Sequence, residues 1–199
     1  MFRYAVIAFL AMCLPVQAQY ATIDSAGRAY VSVEGGKNSY RAGATGYAGY
    51  GSPTDIFCLR GSDSKVVRVR SIYIAAHANS ATQVDLLLLK RLTANTGGTT
   101  STITSVALDS LDPAASGALV SYTTSPTTLG TPTGNLAVPQ LVFSTNSGGA
   151  GYPVNLDFGT HGGKSVVLRG AAQSLCANFN GAALPASAGI NIEMSWTEE

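Results

Sequence analysis

Gly189-Ile190-Asn191-Ile192-Glu193-Met194-Ser195-Trp196 decides the fold class. Side chains of an extended chain alternate between two faces, so Ile190, Ile192, Met194 and Trp196 share one side and Asn191, Glu193 and Ser195 the other. One face is dry and the other wet, as in a strand that covers a core. Working outward, short runs of β-branched and aliphatic residues recur between clusters of Gly, Pro, Ser, Thr and Asn. This pattern predicts further strands at Ala29–Val33, Asp55–Leu59, Lys65–Ala75, Gln83–Leu92, Ile103–Leu108, Ala118–Thr123, Ala137–Phe143, Val154–Phe158, Ser165–Arg169 and Ser174–Phe179. Many short strands without helical periodicity or a repeat of fixed period read as a single-domain, all-β, antiparallel sandwich.

Leu86 to Leu89 form a continuous apolar run, which suits a strand covered on both sides or one whose outer face meets another subunit. The separators are equally informative. Thr93–Ser101 reads as a Thr and Gly loop, and Gly43–Pro53 as a contact loop carrying Tyr47 and Tyr50. The two prolines within Ser125–Gly134 forbid a central strand there.

The chain has 199 residues, enough for one sizeable core, and only 12% are charged. Twelve Lys and Arg face eleven Asp and Glu, so no field exists to gather nucleic acid. Arg68 and Arg70 alternate with Val67 and Val69 as the solvent face of a strand would.

Residues 1–18 have the layout of an export signal: Arg3, a short apolar stretch, and small residues at Val16-Gln17-Ala18. The apolar stretch is too short for a permanent membrane anchor. Export would permit a bridge between Cys58 and Cys176; the alternative is two separately buried thiols, and spacing does not choose between them. The domain plan is thus a signal at 1–18, an arm at 19–36 and the sandwich at 37–199.

No motif predicts catalysis, a metal or a cofactor. His77 and His161 lack Cys, Asp or Glu at zinc-holding spacing, and Asp157 with His161 belongs to a turn. Gly159-Thr160-His161-Gly162-Gly163-Lys164-Ser165 is one residue short of a phosphate loop and leads into a strand instead of a helix. No Gly-x-Ser-x-Gly elbow is present.

Four segments in order, Lys90-Arg91-Leu92-Thr93-Ala94-Asn95-Thr96-Gly97-Gly98-Thr99, Leu129-Gly130-Thr131, Val166-Val167-Leu168-Arg169-Gly170 and Trp196-Thr197-Glu198-Glu199, resemble small virion structural proteins of tailed bacteriophages. The resemblance spans roughly Ala29 to Glu199 and implies a jelly-roll-like module that decorates a capsid or joins a fibre. It brings no catalytic residues. Virion parts assemble in the cytoplasm, so the export-like segment departs from the pattern; an exported surface filament or matrix protein built on the same module reconciles the two.

The sequence therefore predicts a non-enzymatic subunit that forms homo-oligomers or polymers, or joins other virion or surface proteins, through strand edges. The arm residues Tyr30, Val31 and Val33 are the expected strand donors. The alternative is a monomeric secreted module that binds carbohydrate on Tyr47, Tyr50, Tyr122 or Tyr152. Localisation follows the same fork, extracellular with signal cleavage or in the virion.

Overall fold

The computed structural model describes residues 22–23, 29–30, 36–48, 53–145, 152–159 and 164–199. The chain divides into two units, Met1–Ser32 and Val33–Glu199, with the boundary inside the expected arm. In the first, β1 (Thr22–Ile23) pairs antiparallel with β2 (Ala29–Tyr30). Tyr30 thus has its backbone partner, Thr22, within the arm itself, while Val31 and Val33 lie outside the described residues.

The second unit is a β-sandwich. One sheet has six strands in the order β11 (Pro132–Ala137), β7 (Leu87–Arg91), β15 (Ser174–Asn178), β4 (Asp55–Arg60), β10 (Ala118–Thr124) and β8 (Thr99–Thr102), all antiparallel. The other has eight. Its path runs β6 (Thr82–Asp85), β12 (Gln140–Thr145), β5 (Val67–Ala78), β16 (Gly189–Glu198), β3 (Asn38–Ala48) and β9 (Ser105–Ala107), and β13 (Val154–Asp157) and β14 (Val166–Leu168) also pair with β5.

The last strand behaves as its alternation requires. Ile190, Ile192, Met194 and Trp196 are buried, and they share one core with Phe57, Leu59, Leu88, Leu119 and Leu175 of the facing sheet. Each such side chain contributes about 1.5–3 kcal/mol on leaving water. Trp196 also packs on Tyr40, ring centroids 5.9 Å apart. The buried Glu198 closes this end of the core: its carboxylate accepts the Trp196 indole N–H (2.9 Å) and the backbone N–H groups of Ser116 (2.9 Å) and Gly117 (2.8 Å). Glu198→Gln would turn an amide N–H₂ toward those donors, and we expect a loss of about 1–3 kcal/mol in urea unfolding.

The four-leucine run is explained by a change of sheet. The chain leaves β6 in one sheet, crosses at Leu86, and enters β7 in the other. Leu86 and Leu88 enter the central core, while Leu89 and part of Leu87 are buried on the far side with Cys58, Val120, Tyr122 and Cys176. Both faces are covered within this chain.

Four differences from the sequence reading have physical causes. Gly43–Ala48, expected as loop, continues β3, because β16 supplies a partner along its whole length and small side chains offer no obstacle. Tyr47 is accordingly a strand residue paired with Ile190, and Tyr50 lies outside the described residues. Thr99–Thr102 is a strand where a loop was expected, and Pro132–Ala137 is a strand at a sheet edge, where proline is tolerated. Finally, the sandwich is not wholly antiparallel. β12 inserts between β5 and β6, pairs antiparallel with β6, and so must run parallel to β5.

Candidate contact surfaces

The outer face of the six-stranded sheet carries an internal brace. Cys58 on β4 and Cys176 on β15 are directly opposite each other and joined by a disulfide, with Cα atoms 4.1 Å apart. Gly61 N donates to Gln173 O (2.8 Å), so counting back along the ladder places Cys58 and Cys176 in a non-hydrogen-bonded pair. That is the closer of the two antiparallel spacings, about 4.5 Å between Cα atoms. Beside the bridge, the fully buried Asp55 accepts two hydrogen bonds from Arg91, Nε to Oδ2 at 2.6 Å and Nη2 to Oδ1 at 2.8 Å. The amides of Asn95 and Asn178 donate to the same carboxylate.

These bonds hold down a pair of loops. Arg91 Nη1 donates to Gly130 O (2.6 Å), Gly130 N donates to Asn95 Oδ1 (2.8 Å), and Thr96 pairs with Thr128. A Cβ on Gly130 would lie 1.9 Å from Thr93 O, so only glycine allows the two loops this approach. Asp55, Cys58 and Cys176 place potential ligand atoms within 4.8 Å of one another, yet the sulfurs are bonded to each other and the carboxylate is committed to Arg91 and two amides. The cluster therefore acts as structure.

One lateral side of the sandwich is different in kind. The chain passes from β8, the edge of the six-stranded sheet, through Ile103 and Thr104 to β9, the edge of the eight-stranded sheet. β8 is Thr-Thr-Ser-Thr, with every residue exposed. Ile103 N donates to Leu119 O (2.8 Å), and alternation then turns the N–H and C=O groups of Thr100 and Thr102 away from β10. Next along the chain stand apolar side chains in water: Val106 and Leu108 are each 61% exposed and Leu111 is 90% exposed.

Leu111 is displayed by a braced turn. Its N–H is held by Asp109 Oδ1 (2.9 Å), and Asp112 N donates to Asp109 O (3.0 Å). The turn is tied to β3 by Ser39 N to Asp112 Oδ2 (3.0 Å) and by the Tyr40 hydroxyl to Pro113 O (2.9 Å). Burial first, then the carboxylates of Glu198 and Asp112, raise the Tyr40 pKa above its ordinary value and keep the phenol a neutral donor.

The remaining edges are blunted. β11 opens with Pro132 and breaks register twice, and Gly134 sits at φ 129°. β6 ends in Asp85, β13 exposes Asp157, β9 and β14 have three residues each, Val167 O on β14 accepts from Lys90 Nζ (2.7 Å), and the length of β3 beyond β9 contains a register shift between its pairings with Ile190 and Ile192. Charge, proline and bulges are how sheets avoid unwanted pairing. β8 has neither charge nor proline, and the one register shift in its pairing falls at its first residue, Thr99.

A second surface lies on the outer face of the eight-stranded sheet. Asp157, Ser71, Ser195 and Arg41 form one cross-strand row, and Asn155, Tyr73, Glu193 and Gly43 the next. They border an open hollow of about 450 Å³. Arg41 pairs with Glu193 (3.4 Å), the hydroxyls of Ser71 and Ser195 are 2.7 Å apart, and Tyr73 is 41% exposed.

Of the tyrosines singled out from the sequence, Tyr122 is buried and receives Arg60 Nη2 on its hydroxyl (3.4 Å), so it offers no stacking surface. Tyr152 is 77% exposed and does not border the hollow. The half-exposed Tyr73 was missed, although its place between Ser71 and Ala75 on the wet face of β5 is visible in the alternation. His77 lies on that face too, its ring covering Gly189; His161 lies outside the described residues, as do residues 1–18. No family model, curated protein or solved structure matches the chain.

Proposed function

We propose that the protein is a non-enzymatic structural subunit whose copies, or whose copies and other surface or virion proteins, join through an open strand edge. The observation that carries this reading is the contrast between β8 and the other edges: an uncharged, proline-free, fully exposed strand beside Val106, Leu108 and Leu111. Unpaired backbone groups in a row are a template for strand addition, and exposed aliphatic side chains add apolar area to the contact. The rigid turn under Leu111 reduces the ordering cost of docking. A jelly-roll-like virion module or an exported filament or matrix protein fits this mode of assembly; the first of these rests on the sequence resemblance alone.

Thr102→Pro tests the reading with little damage to the fold, since it removes an N–H that faces away from β10. Each lost backbone bond is worth about 1 kcal/mol, so a contact that loses two should weaken more than tenfold. Sedimentation equilibrium should show assembly for the parent chain and a shift toward monomer for Thr102→Pro, with the thermal midpoint little changed. A parent chain that stays monomeric at high concentration would remove the proposal.

The Tyr73 hollow supports a second reading, a carbohydrate-binding module. An aromatic face beside hydrogen-bonding side chains suits a sugar ring, which presents C–H groups on one side and hydroxyls around its rim. Glycan-array binding that disappears in Tyr73→Ala, in a chain that remains monomeric, would favour it over assembly.

A further inference from the structure

Resting on the assembly reading, we infer that the partner of β8 is β8 of a second copy, paired antiparallel about a twofold axis through Ser101. The register follows from which groups are free. Thr100 and Thr102 direct their N–H and C=O groups outward, and Ser101 directs its own toward β10. Two copies set antiparallel with Thr100 opposite Thr102 satisfy all the outward groups of both residues at once, forming four backbone hydrogen bonds. Sliding either way by two residues moves one of the two bonding pairs off the end of the four-residue strand.

In this register Ser101 faces its own symmetry mate. The pair is non-hydrogen-bonded, the position where side chains of opposite strands come closest, and serine is small enough to meet itself there. Thr100 and Thr102 then lie beside each other across the axis, a favourable cross-strand pair. Charge permits the contact: residues 93–108 contain no Lys, Arg, Asp or Glu, so two copies bring no like charges together along the strand. An isologous contact of this kind uses one patch twice and closes. Val106, Leu108 and Leu111, on the same lateral side, supply apolar surface that a second copy would cover.

The molecule already shows that one of its sheets accepts a disulfide at such a position, since Cys58 and Cys176 bridge a non-hydrogen-bonded pair with Cα atoms 4.1 Å apart. Ser101→Cys therefore tests the axis. Under mild oxidation the Ser101→Cys chain should convert largely to a covalent dimer on a non-reducing gel, and adding Thr102→Pro should suppress that conversion. Thr133→Cys, on the blunted β11 edge, should remain monomeric under the same conditions. Assembly by sedimentation without faster cross-linking of Ser101→Cys than of Thr133→Cys would overturn this inference and leave the assembly reading standing. A Ser101→Cys chain lacking residues 19–36 should cross-link as the full-length Ser101→Cys chain does; loss of cross-linking there would make the arm the occupant and also overturn it. A parent chain that stays monomeric, together with a Ser101→Cys chain that does not cross-link, would overturn both.

Discussion

Arg91→Met is expected to lower the unfolding free energy by about 3–5 kcal/mol, the cost of leaving one member of a buried ion pair without its partner. Arg91 and Asp55 are both withdrawn from water, and Arg91 makes two of the four side-chain bonds that Asp55 accepts. The amides of Asn95 and Asn178 remain after the substitution, but neither carries charge. For a domain of this size about 2–4 °C of thermal midpoint is lost per kcal/mol, so a fall of about 6–20 °C should be seen by calorimetry. Adding Asp55→Asn to Arg91→Met should recover part of the loss, because a neutral pair no longer strands a charge. The loops near Thr96 and Gly130 should also exchange their amide hydrogens faster, since Arg91 Nη1 no longer holds Gly130 O. A stability change below about 1 kcal/mol would mean that Asp55 is not held as described.

Removing the disulfide is the second large effect. Cys58 and Cys176 are separated by 118 residues, and the chain-entropy model assigns such a cross-link about 5 kcal/mol, with native bridges typically costing 2–5 kcal/mol when removed. The stabilisation acts mainly by restricting the unfolded chain. Cys58→Ala with Cys176→Ala should therefore lower the denaturant midpoint and also raise the slope of the urea transition, because a freer unfolded chain exposes more surface. Treating the parent chain with reductant should reproduce both changes. If the slope and midpoint of the parent are untouched by reductant, the bridge is absent from the protein in solution.

The sheet-forming stretches were readable because each carries its evidence locally. Ile190 to Trp196 alternate regardless of what lies opposite, and β4, β10 and β15 announce themselves by β-branched and aliphatic runs. β3 reads as loop in the sequence because Gly43 and Gly46 break up the strand-favouring Thr45 and Tyr47; its pairing with β16, some 145 residues away in sequence, holds it extended. β8 was lost for a similar reason. Its threonines favour a strand, but neighbouring Gly97 and Gly98, both at positive φ, gave the whole segment the look of a loop.

The contact surfaces were less legible still. Tyr122 and Tyr73 have similar local surroundings in the sequence, yet one is buried with Cys58, Leu89 and Cys176 and the other borders a hollow. Nothing in the spacing of Asp55 and Arg91 announces an ion pair. Their meeting depends on β15 lying between β4 and β7.

By itself the sequence determined that this chain is built of strands, which faces of those strands are apolar, and that the prolines within Ser125–Gly134 forbid a central strand there. These are period-two and backbone properties, set within a few residues. Tertiary structure alone decided the order of strands, the parallel β12, the pairing of Cys58 with Cys176, and which edge is left open. Those depend on contacts between distant segments, where closing each long loop costs entropy and only the packing of both sheets together selects one arrangement.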